Sequence, residues 1–288
     1  MKWVLQDQLS FHTLQVQSLI LWLKNINVTR TVLKFGVGLT TLGMINPAGK
    51  NMQSKNWKGV TKKELKAWAN WVIRDLVSFT PTLLPAGMHI DDPQMKPLLE
   101  KCAELKMPIN VHIAEDEWMY LPADSTNDGL MNSAKWKVDV SKKGILGHDE
   151  LIATLENAVK NNPKTTFIAC HLANCCSDLN KLAGLLDKYP NLYADLAARF
   201  GEFSPVPRYT SAFMEKYQDR LLYGIDTDGN NLNYEKAMYR ITFRILETAD
   251  EHFYQHELFS YHWPMYGLSL SERALKKIYR DNIKKLMK

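Results

Sequence analysis

The sequence predicts an α/β fold of the (β/α)8 barrel type, in which parallel strands alternate with helices around one closed sheet. The first observation is that short apolar runs of strand length alternate with segments of helical periodicity. The second is spacing: strands that start near residues 166, 192 and 221 are separated by the length of one strand and one crossover helix. The third is length, because such a barrel takes about 250 residues and the chain has 288. We therefore expect a single domain over residues 1–288.

The first part of the chain contains two predicted helices and one predicted strand. Residues 14–26 and the segment that begins at Thr61 carry apolar side chains on one helical face, and residues 29–35 form a strand candidate between them. Thr61 and Glu64 have the spacing of a capping box, in which each side chain satisfies a free backbone N–H at the helix start. Residues 77–90 are undetermined, because prolines interrupt two short stretches of strand character.

From Asp92 onward the alternation is regular. Asp92 is a good N-cap and Pro93 suits the first helical position, although Pro97 would remove a hydrogen bond from the second turn. The polar stretch 119–147 is typical of a lid or a substrate-binding loop. The C-terminal helix is expected to begin at a second capping box, headed by Ser269. The remaining predicted elements, in chain order, are strand 109–113, helix 149–161, strand 165–170, helix 178–189 capped by Asp178, strand 191–196, a helix near 208–218, strand 221–225 and a helix near 234–249.

Composition argues against several classes of function. The net charge is +5, and because the positive residues are scattered apart from two Lys–Lys pairs on the polar side of the C-terminal helix, we expect no nucleic-acid partner. No apolar stretch approaches the ~20 residues that span a bilayer, and the polar residues after position 5 do not suit an ordinary signal peptide. The four cysteines resemble reduced thiols, so we expect a cytoplasmic protein without a membrane partner.

Three apolar runs each stop on a residue type that binds a divalent metal or moves a proton. These residues are His112, His171 and Asp226. Because the C-terminal ends of parallel barrel strands meet at one mouth, we expect the three side chains to converge. Two imidazoles and one carboxylate suit zinc, and also manganese, with a position left open for water. The alternative is that each is a structural polar residue at a strand end. A structural role is a good explanation for one such residue, but a weaker one for three residues at matched positions.

Asp226 has a second candidate role as a catalytic residue. A carboxylate beside a metal-bound water can take up a proton from that water, whose pKa the metal lowers toward about 7. His171 could equally transfer the proton instead of holding the metal tightly, and the sequence leaves both roles open.

Six motifs along the chain form a series. They are residues 90–98 before a helix, Pro108-Ile109-Asn110-Val111-His112-Ile113, Phe167-Ile168-Ala169-Cys170-His171, Asn191-Leu192-Tyr193-Ala194-Asp195, Tyr223-Gly224-Ile225-Asp226-Thr227 and Ile278-Tyr279-Arg280-Asp281-Asn282. Together they resemble the amidohydrolase-related, TIM-barrel metal-dependent hydrolases, a family that includes decarboxylases of aromatic acids. The resemblance covers residues 90–288 well and residues 1–89 loosely. It implies that His112 is the metal ligand of the fifth strand, His171 the histidine of the sixth and Asp226 the aspartate of the eighth.

The sequence departs from that family at the first strand. The family opens with a His-x-His pair there, whereas His12 is the only histidine in the N-terminal region and does not form the motif. The pattern at residues 14–35 resembles the helix before strand two and strand two itself. The resemblance therefore implies a barrel that is incomplete at its first strand and lacks two of the family's metal ligands.

Secondary candidates are expected around the same mouth. His89, Glu115 and Arg199 could each contact substrate, Arg199 by pairing its planar guanidinium with a substrate carboxylate. The alternatives are a solvent-exposed loop for His89 and Glu115 and a structural ion pair for Arg199. His148 is interpreted as part of a helix start, and the cysteines as small core side chains rather than a metal cluster.

The sequence thus favours a metal-dependent hydrolase that acts on a small polar or carboxylated substrate through metal-activated water. Two alternatives stay open: a non-oxidative decarboxylase on the same scaffold, and a catalytically inactive barrel that lacks the first ligand pair. The expected cofactor is a divalent metal, zinc before manganese. The expected partners are a small-molecule substrate and a second copy of the chain in a homo-oligomer.

Overall fold

The computed structural model describes residues 77–79, 89–131, 134, 137–142, 144–226, 232–255, 258, 261 and 263–286. The elements predicted between residues 14 and 76, with the capping box at Thr61, lie outside the described residues, and so does His12. One domain over residues 1–288, and a barrel that is incomplete at its first strand, therefore stay predictions.

Within the described residues, five parallel strands form one sheet in the order in which they occur along the chain. They are β1 (Val77–Phe79), β2 (Ile109–Val111), β3 (Phe167–Ala169), β4 (Leu192–Asp195) and β5 (Leu221–Leu222). Each strand pairs with the next in the same direction, which requires a crossover between every pair. Sequential order with a helix after each strand is the arrangement of a TIM-like barrel wall. The predicted α/β fold class is confirmed.

The register aligns the C-terminal ends of the strands at one edge of the sheet. Val111 of β2 pairs with Ala169 of β3, which pairs with Ala194 of β4. Every residue of β2 to β5 is buried. Burial on both faces explains why these strands read as continuous apolar runs instead of alternating ones. Residues that follow the strands therefore meet at a common edge.

The helices pack their apolar stripes into the main core, except that Ile283 of the last helix packs in a smaller cluster with Ile168, Tyr193 and Leu222. They are α1 (Lys96–Glu104), α2 (His148–Asn161), α3 (Leu179–Lys188), α4 (Phe200–Phe203), α5 (Pro207–Lys216), α6 (Leu232–Glu247), α7 (Glu272–Lys276) and α8 (Asn282–Leu286), with a π turn, Lys277–Asp281, between the last two. Short 3₁₀ turns span Pro93–Met95 and Glu117–Met119. None of the described helices has the length and apolar character needed to cross a membrane.

The position at which α1 begins explains how the helix accommodates Pro97. Asp92 caps the preceding 3₁₀ turn, where its side chain accepts a hydrogen bond from the N–H of Gln94 at 2.8 Å. The α-helix begins only at Lys96, so Pro97 lies in its first turn. A missing N–H costs little there, because first-turn N–H groups have no intrahelical partner.

The cap of α7 differs from the prediction. Ser269 has a φ of 47° and its N–H bonds to the carbonyl of Thr248, so it does not cap the helix. Ser271 is the N-cap instead, and its hydroxyl accepts from the N–H of Ala274 at 3.2 Å. The prediction at Ser269 is wrong because residues 267–270 are tied by backbone hydrogen bonds to the end of α6, which delays the helix.

Candidate active site

His112, His171 and Asp226 lie together at the C-terminal edge of the sheet. The rings of His112 and His171 make an edge-to-face contact, with centroids 4.9 Å apart. Nε2 of His171 lies 4.0 Å from Oδ2 of Asp226. The parallel register of the strands brings these residues together from distant parts of the sequence. Their roles as metal ligands stay a prediction.

His171 opens a left-handed turn that follows β3. Residues 171–174 have φ values between 54° and 59°, a conformation that costs L residues about 1–2 kcal/mol each. Asp195 at the end of β4 offsets part of this cost, since its Oδ1 accepts from the N–H groups of His171 at 2.9 Å and Ala197 at 3.1 Å. Its Oδ2 accepts from Nδ2 of Asn110 at 3.2 Å. Sequence reasoning missed Asp195, although its position at a strand end, like that of His171, was a usable signal.

The contacts of His171 fix its tautomer. Nδ1 lies 2.8 Å from the carbonyl oxygen of Ala197, which can only accept, so Nδ1 carries the hydrogen and Nε2 keeps its lone pair toward Asp226. Burial lowers the pKa of His171 well below its usual value, and the positive charges of Arg199 and His112 lower it further. The ring is therefore neutral near pH 7, which is the state in which a histidine binds a metal.

Asp226 presents a buried carboxyl group to the same space. Among the described residues, no donor hydrogen-bonds its buried Oδ1. Burial raises the pKa of Asp226 to about 7, against the opposing attraction of Arg199 and His112. The His171 lone pair approaches Oδ2 of Asp226, and Oδ1 of the same carboxyl group is unsatisfied; an imidazole and a carboxylate are a donor set that fits a divalent cation. The residues present therefore fit the metal that the sequence predicts.

His112 is paired with Glu115, whose Oε1 lies 3.2 Å from Nε2 of the ring. Burial acts to lower the pKa of His112, but the hydrogen bond and the charge of Glu115 outweigh it and leave this pKa raised. Burial acts to raise the pKa of Glu115. The hydrogen bond and charge of His112 outweigh burial, so the carboxyl pKa is lowered. To bind a metal through Nε2, His112 has to release the proton that it shares with Glu115.

Arg199 is buried in a network that joins the loops after β2, β3 and β4. Its Nε donates to Oδ1 of Asn174 at 2.6 Å and lies 3.0 Å from Oδ2 of Asp116. Its Nη1 donates to the carbonyl of Ala198 at 3.0 Å. The side chain of Asn174 in turn donates to the carbonyl of Ala114. These contacts favour a structural ion pair for Arg199, and its substrate role stays a prediction.

His89 lies in the turn before α1, where its carbonyl accepts from the N–H of Asp92 at 3.0 Å. Its Nδ1 is buried and has no hydrogen-bond partner in the described part of the chain. Likewise, no described hydrogen bond or ion pair joins it to His112 or His171, so its substrate role gains no support. The four cysteines all fall within the described ranges, where they are buried and form no disulfide.

A second group of metal-binding residue types lies at the start of α2. Glu117, His148 and Asp149 each offer one ligand atom, and these atoms lie within 4.8 Å of one another. His148 is the first residue of α2, as its interpretation as a helix start predicts. Its approach to Glu117 could not be predicted, because the long polar loop separates the two in sequence.

The sequence matches the family model of the amidohydrolases over residues 80–288. This match covers more than half of the chain, and the chain therefore belongs to the amidohydrolase family. Amidohydrolases depend on divalent metals, which agrees with the imidazole and carboxylate groups at the sheet edge. The resemblance indicated by the sequence motifs is confirmed. No curated protein matches the sequence.

Several solved structures are similar to the chain. An uncharacterized TIM-barrel protein from Bordetella bronchiseptica is 16% identical with a TM-score of 0.44, and the match covers 80% of this chain and 63% of that one. A manganese-bound 5-carboxyvanillate decarboxylase from Novosphingobium aromaticivorans is 13% identical with a TM-score of 0.40, covering 73% and 55%. A dihydroorotase from Campylobacter jejuni is 14% identical with a TM-score of 0.40, covering 80% and 62%. The chain thus spans less than two thirds of the length of each, and similarities at these TM-scores carry no argument about its reaction.

Proposed function

We propose that the chain is a metal-dependent hydrolase that acts on a small polar or carboxylated substrate. His112, His171 and Asp226 are the proposed ligands of one divalent cation, with zinc expected before manganese. The observation that carries the proposal is the approach of the His171 lone pair to the unsatisfied, buried carboxyl of Asp226. An imidazole nitrogen and a carboxylate directed at one space can bind a divalent cation, which serves hydrolysis.

Each of these side chains has a role in the proposed reaction. A divalent cation held by His112, His171 and Asp226 would supply a water molecule of lowered pKa as the nucleophile. Asp226 would accept the proton from that water, because a carboxylate beside a bound water can act as a general base. His171 stays neutral and keeps its Nε2 directed at the same space. Glu115 positions the His112 ring through the contact between its Oε1 and Nε2 of the ring.

The same site also supports non-oxidative decarboxylation. Loss of carbon dioxide from an acid leaves a carbanion that must be protonated. Asp226 can supply that proton, because its raised pKa lets it hold one at pH values up to about 7. The two reactions separate by product: carbon dioxide release from a candidate acid favours the lyase, and its absence together with cleavage of an amide or ester favours the hydrolase.

The test is metal loading and activity in a His112→Asn variant, with His252→Asn as the matched control. His252 is exposed and contacts only tyrosine hydroxyls among its described hydrogen bonds. We expect His112→Asn to lose about one equivalent of zinc or manganese by elemental analysis. Its kcat/KM should fall by more than the roughly 10–100-fold typical of outer-shell partners. Full metal loading and activity in this variant would show that the ligand assignment is wrong.

An inactive barrel is the remaining alternative. It predicts that the unsubstituted protein and His112→Asn have equal metal content, even after reconstitution with zinc or manganese. The hydrolase predicts a stoichiometric ion that the substitution removes.

A further inference from the structure

Four side chains meet where the loop after β2 crosses the first turns of α2 and α3. Glu117 comes from the loop, His148 and Asp149 open α2, and Lys181 lies in the first turn of α3. We refer to these four residues as the Glu117 cluster. The first three offer one nitrogen and two oxygen ligand atoms within 4.8 Å of one another. None of them belongs to the site formed by His112, His171 and Asp226.

His148 directs an unsatisfied lone pair into the cluster. The residue is 7% exposed, and its Nε2 lies 2.8 Å from the carbonyl oxygen of Asn174, so Nε2 carries the hydrogen. Over the described ranges nothing hydrogen-bonds Nδ1, which lies 3.7 Å from Oε1 of Glu117 and 3.5 Å from Oδ1 of Asp149. The geometry therefore leaves Nδ1 available to a cation between the two carboxylates.

Lys181 marks the position that a cation takes in the cluster. Its Nζ lies 2.6 Å from Oε1 of Glu117 and 2.7 Å from Oδ1 of Asp149. The hydroxyl of Ser177 donates to the second oxygen of Glu117 and so orients the carboxylate. The Asp149 side chain is 79% exposed, which leaves a path from solvent to the cluster.

We propose that the Glu117 cluster is a second cation site, at which Glu117, His148 and Asp149 bind a zinc-class divalent ion in exchange for the Lys181 ammonium. The His148 ring has the arrangement of a metal ligand, because ligating histidines usually donate their other ring N–H to a carbonyl or carboxylate. One imidazole and two carboxylates with an open fourth position suit zinc. Magnesium and calcium prefer sites built of oxygen alone.

Asn174 connects this second cation site to the candidate active site. The carbonyl of Asn174 accepts from His148, and its side chain bonds to Arg199 and to the carbonyl of Ala114. Asn174 is also the last residue of the left-handed turn that His171 opens. An ion that fixes His148 therefore restrains the turn that carries His171.

The test is zinc binding by calorimetry to the full chain in an Asp226→Asn background, which removes the carboxylate of the other site. In that background we expect a zinc equivalent that Asp149→Asn abolishes. Adding Lys181→Met should tighten this equivalent by about tenfold or more, because the competing ammonium is gone. Lys188→Met is the matched control: Lys188 lies on the same helix and pairs with Glu156 outside the cluster, so its removal should leave zinc affinity unchanged.

Magnesium is the second probe. We expect magnesium to bind the Lys181→Met protein more weakly than zinc does, because magnesium prefers oxygen ligands and the site contains an imidazole. Thermal unfolding without metal checks that each variant is folded. If Lys181→Met does not tighten zinc binding, or Asp149→Asn leaves it unchanged in a folded protein, the cluster is an ion-pair network only. Failure of this test leaves the proposed hydrolase site untouched, because no residue is shared.

Discussion

Glu202 shows how burial and a neighbouring charge can change the charge of one residue. The hydroxyl of Tyr261 donates to its Oε1 at 2.7 Å, whereas its Oε2 is buried and accepts no hydrogen bond from any residue that the structure describes. Burial, with the nearby negative charge of Asp116, raises the pKa of Glu202 to about 8. Glu202 therefore holds a proton at neutral pH.

This protonation makes stability depend on pH. Because the folded-state pKa of Glu202 lies above the unfolded value near 4.5, the folded protein binds more protons between about pH 4.5 and 8, and its stability falls as the pH rises through that window. One proton accounts for at most about 1.4 kcal/mol per pH unit. We expect Glu202→Gln to remove this component of the slope, as measured by urea unfolding at a series of pH values.

The control for this prediction is Glu100→Gln, on the exposed face of α1. It should leave the pH dependence of the free energy of unfolding unchanged. If Glu202→Gln and the unsubstituted protein have parallel stability profiles between pH 5 and 8, Glu202 is ionised in the folded state and this account is incorrect.

At the scale of elements, the left-handed turn after β3 is the longest run of positive φ among the described residues around the site. His171, Leu172, Ala173 and Asn174 adopt positive φ in succession. Leu172 and Ala173 are fully buried, so packing together with the hydrogen bonds to Asp195 holds the turn in place. The strain is tolerated where it directs His171 at the site.

Replacing Ala173 with glycine tests that strain. Glycine removes the penalty of about 1–2 kcal/mol for positive φ, which offsets the loss of a buried methyl group worth about 0.8 kcal/mol and the extra chain entropy of glycine. Ala158→Gly in α2 loses a buried methyl group without any such relief. We expect Ala173→Gly to cost at least about 1 kcal/mol less than Ala158→Gly in the free energy of unfolding. Equal losses would mean that the turn stores no strain.

The elements also show what the sequence could predict. The caps at Asp92 and Asp178 are as expected, because a capping side chain acts on N–H groups two residues away. Strand 109–113 is shorter in the structure, Ile109–Val111, because apolar residues continue into the buried loop beyond the hydrogen-bonded ladder. The cap at Ser269 fails because a contact with α6, distant in sequence, decides where α7 begins.

At the scale of the whole molecule, Arg199 connects loops that follow three strands. Its guanidinium joins Asp116, Asn174 and Ala198, and it lies in a buried environment. Removing one partner of a buried ion pair typically costs about 3–5 kcal/mol, because the other charge is left uncompensated.

Arg199→Met should therefore lower the free energy of unfolding by about 3–5 kcal/mol, measured by urea unfolding. Arg199→Lys should recover part of this loss, because lysine keeps the charge but not the planar donor geometry. A substrate role predicts a different result: unchanged stability in both variants with a raised KM. The two sets of measurements thus distinguish the ion pair from the substrate contact.

The sequence by itself determined the α/β class, the order of the elements and the residue types at the strand ends. These follow from local patterns: apolar periodicity, capping residues and the polar residue at which each buried run stops. The pairing of His112 with Glu115 is also local, since only three residues separate them.

Tertiary structure alone decided which distant groups meet and in which protonation state. The approach of His171 to Asp226, the support of the His171 backbone by Asp195 and the meeting of Glu117 with His148 all depend on strand register and loop path. Charge depends on the same packing, because burial raises the pKa of Asp226 and lowers that of His171 only once the chain has removed both from water. Neither the distance between two side chains nor their desolvation is a property of local sequence.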